Sequence, residues 1–76
     1  MRGQWAVALF HTTSAAMRAE KMVQRAGLAG RLVPTPRHLS SDCGIALRFD
    51  LADLERVRKS LDDARVEYAQ LAPLDD

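Results

Sequence analysis

A chain of 76 residues bounds the answer to one small domain, residues 1–76, close to the lower size at which a hydrophobic core alone supports folding. With 47% apolar and 28% charged residues it reads as globular, and a net charge of +1 gives no electrostatic case for nucleic acid or a membrane surface as partner. One cysteine excludes an internal disulfide and disfavours a thiolate metal site, and no apolar run approaches the ~20 residues that span a bilayer.

In chain order, Trp5 to Phe10 alternates, with Trp5, Val7 and Leu9 on one side and Ala6, Ala8 and Phe10 on the other. This predicts a strand buried on one face and partly on the other. His11-Thr-Thr-Ser14 is rich in helix N-cap residues. From Thr13 the period changes: Ala15, Ala16, Ala19, Met22, Val23 and Ala26 form an apolar stripe at helical spacing, and Gly27 stops the helix. Met17 and Met22 are expected to fill gaps at or near the core. Arg31-Leu-Val33 begins a second strand, which Pro34 and Pro36 confine to a sheet edge.

Ile45, Leu47 and Phe49 alternate with Ala46 and Arg48 in a third strand. Arg48 belongs to the open sheet face, either solvated or set against an acidic partner. Asp50 caps a second helix, whose buried stripe is Leu51, Leu54, Val57 and Leu61; Glu55 and Lys59 are spaced to pair. Val66 to Leu71 reads as a fourth strand with Val66 and Tyr68 toward the core, and the tail from Pro73 is expected to fray.

The order β-α-β-β-α-β predicts an α+β, ferredoxin-like fold: an antiparallel four-stranded sheet with two helices on one face. Right-handed crossovers put the first and third strands in the centre and the second and fourth at the edges. Between the second and third strands lies the stretch Pro34-Thr-Pro-Arg-His-Leu-Ser-Ser-Asp-Cys-Gly44, which carries the single cysteine, Cys43. Strand directions bring this loop to the same end of the sheet as the start of the first helix. Unpaired backbone N–H groups and the positive end of the helix dipole favour an anion there, so a thiolate at Cys43 is expected to be stabilised.

Thr12, Thr13 and Ser14 offer hydroxyls to a thiolate or a sulfur adduct. Arg37 and His38 add positive charge in the loop, and Asp42 opposes it. Gly44 removes a side chain beside the sulfur, or else meets a need for positive φ. No catalytic His–acid set is readable, and the glycines lack the spacing of a phosphate loop.

Leu32-Val-Pro-Thr-Pro-Arg37 followed by Ser40-Ser-Asp-Cys-Gly-Ile-Ala-Leu-Arg-Phe49, with Arg-Ala-Glu-Lys21 in the first helix, resembles a small bacterial family described as selenium/sulfur carrier-like. The resemblance implies a carrier rather than a turnover enzyme. Cys43 would hold sulfur or selenium as a persulfide or selenosulfide, with no resident cofactor or metal. It would receive the atom from a donor protein and pass it to an acceptor, in the reducing cytoplasm. The chain lacks the Cys-Pro-x-Pro motif of the better understood small sulfur carriers. The alternative reading is a ferredoxin-like interaction or regulatory module, dimeric through sheet edges or helix faces, in which Cys43 is structural or redox-sensing.

Overall fold

The structure, a computed structural model, describes residues 4–39 and 43–74. Its elements are β1 (Trp5–Leu9), α1 (Thr13–Arg25), β2 (Gly30–Pro34), β3 (Ile45–Asp50), a 3₁₀ turn (Leu51–Asp53), α2 (Leu54–Asp63) and β4 (Gln70–Leu74). The sheet order is β2-β3-β1-β4, with every neighbouring pair antiparallel. This is the expected α+β arrangement, with the prolines of β2 and β4 on edge strands where a missing N–H costs no central ladder bond.

Both helices pack on one sheet face. Ala16, Ala19 and Val23 of α1 and Val57 and Leu61 of α2 meet Ala6, Ala8, Phe10, Leu47 and Phe49, all fully buried. The alanines on α1 and β1 let backbones approach closely, and Gly30 has the same use. A Cβ there would stand 3.1 Å from Val23 Cγ1 and 3.2 Å from Leu47 Cδ1. Gly27, at φ +81°, ends α1 as expected, because its left-handed backbone suits a residue without a side chain. Arg18 donates to the carbonyl of Ala64 at 2.9 Å and ties α1 to the end of α2.

The opposite sheet face is also closed near its centre. Val7, Leu9 and Ala46 are fully buried there, with Val33, Leu39 and Leu74 packed over them. Leu39 reaches this face because its N–H bonds the Pro36 carbonyl at 3.1 Å, turning the loop back on itself.

Several expectations are corrected. The fourth strand is Gln70–Leu74, not Val66 to Leu71, and Pro73 and Leu74 are paired residues of it rather than a frayed tail. After α2 the chain turns at Arg65, φ +57°, and must cross to the sheet edge before it can pair. Ladder contact starts only where Ala69 N–H meets the Leu9 carbonyl. Val66 is buried against the helix-side core from this crossing segment, and half-buried Tyr68 bonds Asp62 at 3.2 Å.

Met17 is 56% exposed, whereas Met22 packs against the core as expected. Ala26 is the exposed C-cap of α1, one turn beyond the buried stripe. Glu55 pairs with Arg58 at 3.2 Å and Lys59 with Asp63 at 3.2 Å, in place of the expected Glu55–Lys59 pair.

Candidate functional site around Cys43

The antiparallel register sets Leu9 opposite Ala46, so the exit from β1 and the entry to β3 share one end of the sheet. Phe10, His11 and Thr12 link β1 directly to α1, which brings the first turn of the helix over the start of β3. Thr12 has extended backbone and its Oγ1 accepts from Ala15 N–H at 3.1 Å, an N-cap. No acidic residue lies in the first turn of α1 itself to offset the positive end of its dipole.

Cys43 arrives at this helix start from the loop side. Its Sγ lies 3.7 Å from Thr13 Oγ1, a contact in which either atom can donate. In the thiolate the sulfur can only accept, so the Thr13 hydroxyl must be the donor. Cys43 is 4% exposed and is one of the buried residues of the helix-side core.

The loop base is fixed by a residue that the sequence reading passed over. Thr35 Oγ1 donates to the Cys43 carbonyl at 2.9 Å, and its N–H donates to the Gly44 carbonyl at 3.1 Å. The strand register, not a sequence pattern, places it there. Pro34 pairs with Ile45, so the next antiparallel step sets residue 35 against residue 44.

Of the expected site residues, the structure brings Thr13 to Cys43. Thr12 has its hydroxyl engaged by the Ala15 amide as helix cap. Arg37 and His38 occupy the two corner positions of the Pro36–Leu39 turn, exposed, and Arg37 makes no hydrogen bond or ion pair among the described residues. Asp42 lies outside the described residues, as do Ser40 and Ser41. Gly44 is exposed, and a Cβ on it would meet nothing within 4 Å. Its φ is not positive, so the backbone does not demand glycine there. Among the described residues no cluster of His, Cys, Asp and Glu suited to a metal ion forms, and no helix is long and apolar enough to cross a membrane.

A family model described as putative Se/S carrier protein-like matches residues 6–73. The chain belongs to this family. Neither a curated protein nor a solved structure matches it. In this member of the Se/S carrier-like family, Thr12, Thr13, Thr35, Cys43 and Gly44 all fall inside the matched span.

Proposed function

We propose that Cys43 is the carrier thiol of this protein. It takes a sulfane sulfur or selenium atom from a donor and yields it to an acceptor. The observation that carries the reading is the Cys43 Sγ to Thr13 Oγ1 contact at the start of α1. It couples the only sulfhydryl of the chain to a hydroxyl donor and to a helix end that favours negative charge.

The step balances without an external oxidant or reductant. The Cys43 thiolate attacks the outer sulfur of a donor persulfide, R–S–SH. A bond forms from Cys43 Sγ to that sulfur, the donor S–S bond breaks, and the donor leaves as the thiolate R–S⁻. An acceptor thiolate repeats the attack on the Cys43 persulfide and regenerates the Cys43 thiolate. Selenium travels by the same exchange. The sulfur is cargo, so no resident cofactor is needed, and the chemistry belongs in a reducing compartment such as the cytoplasm. The residues acting on the adduct are Thr13, which donates to the sulfur anion, and Gly44, whose bare side leaves room for the reactant. Arg37, at the exposed tip of the turn, serves as a contact for the donor or acceptor protein.

The test is intact-mass measurement after incubation with inorganic polysulfide and removal of excess reagent. The wild type gains the mass of one sulfur atom and Cys43→Ser gains none. A wild type that stays unmodified overturns the proposal.

The 4% exposure of Cys43 favours a second reading, in which the sulfur is a packing atom. That reading expects Cys43→Ser to lose stability and an unfolded chain, but not the native one, to accept sulfur.

A further inference from the structure

At the far end of β3 from Cys43, two arginines face each other. Arg31 of β2 and Arg48 of β3 are direct cross-strand partners, so both side chains belong to the sheet face away from the helices. Like charges in such a pair repel, and a fold that needs only solubility has no reason to place them there. The Arg48 guanidinium carbon lies over the Trp5 ring, 4.3 Å from its centroid, a cation–π contact. Its Nε is shielded from solvent and has no hydrogen-bond partner among the described residues. Asp50, two residues on along the same face, has its carboxylate engaged by Ala52 N–H at 2.9 Å. Trp5, itself 44% exposed, Arg31 and Arg48 line an open groove of about 340 Å³ with Gln24, Ala29 and Gly30, and among the described residues none that lines it is acidic.

We infer that this Trp5–Arg31–Arg48 groove docks a carboxylate-bearing, acidic segment of a partner protein. Arg48 Nε lacks an acceptor among the described residues, a Glu or Asp side chain supplies one to such a cation pair, and a planar carboxylate matches the guanidinium fork. The exposed indole beside them gives the same segment an apolar contact. The alternative fits less well. A net charge of +1 provides no wider field for a polyanion such as nucleic acid. The site is independent of the thiol chemistry, since it involves no atom of Cys43.

The experiment is a titration of the isotopically labelled protein with a capped tetraglutamate peptide at low salt, followed by NMR. The Trp5 indole N–H and the Arg31 and Arg48 Nε–H signals are expected to shift together and saturably. Arg31→Gln, an exposed change that leaves the Trp5–Arg48 stack alone, should weaken binding at least tenfold, and a tetraglutamine peptide should not bind. Arg48→Gln should do the same where its spectrum shows the native fold. Absence of saturable shifts, or equal binding by Arg31→Gln, overturns the inference. So does inorganic phosphate or a single-stranded oligonucleotide shifting the same signals at lower concentration than the peptide.

Discussion

Thr13 and Gly44 make different kinds of contribution to Cys43, and single substitutions separate them. Thr13→Val keeps the shape of the side chain but removes the hydroxyl 3.7 Å from Sγ, whereas Thr13→Ser keeps the donor. Polysulfide loading should slow about tenfold in Thr13→Val, the equivalent of losing a charge-assisted hydrogen bond worth ~1.5 kcal/mol, and stay near wild type in Thr13→Ser. Loading rates by mass spectrometry decide this, and equal rates for both variants remove Thr13 from the site. Gly44→Ala meets no steric or backbone objection, so the chain should gain roughly 0.4–1 kcal/mol in urea denaturation through a less flexible unfolded state. The same variant should load more slowly, because the methyl group fills the approach to the sulfur. Loading at the wild-type rate would show that reactants arrive from another side.

At the scale of elements, the register and the caps hold the site in place. Thr12→Ala removes the N-cap and should cost ~1 kcal/mol, measured as a shift of the urea midpoint. Gly30→Ala, by contrast, sets a methyl group 3.1 Å from Val23 Cγ1 and 3.2 Å from Leu47 Cδ1, both on fully buried side chains held by their packing, and should lower the urea midpoint. A stable Gly30→Ala would mean that the edge strand shifts freely.

The helices and the first three strands were legible because their apolar periods are strong: Ala16, Ala19 and Val23 on α1, and Leu47 and Phe49 on β3. The end of the chain was misread because Val66 and Tyr68 alternate like strand residues. Pairing, however, is decided by reach to Leu9, which only Ala69 and Gln70 achieve. The approach of Cys43 to the helix start followed from strand directions alone. The roles of Thr35 and Leu39 did not, because a lone hydroxyl or a lone leucine in a polar loop has no period. Tertiary contacts assign them: Thr35 to the Cys43 carbonyl, Leu39 to the sheet face over Val7 and Leu9.

For the whole molecule, a radius of gyration of 11.1 Å is that of a packed chain of this length. Its total stability should be roughly 4–11 kcal/mol, from typical values per residue. Phe10 and Phe49 are the largest fully buried side chains. Phe49→Ala should cost about 3–5 kcal/mol, a large share of that total, and lower the melting temperature by many degrees, followed by circular dichroism. A native-like melting curve for that variant would show that the core does not depend on this ring. The two ends of the sheet carry different chemistry, with the thiol at one and the paired arginines at the other. On the docking proposed above, a partner at Trp5, Arg31 and Arg48 would contact the end of the sheet away from Cys43.

A carrier must give up what it takes, and cyanide tests both halves at once by removing sulfane sulfur from a persulfide as thiocyanate. Protein treated with polysulfide and freed of excess reagent should release one thiocyanate per chain and return to its original mass, with none from Cys43→Ser. No thiocyanate from the wild type, or an equal yield from Cys43→Ser, would contradict the assignment of Cys43 as the carrier.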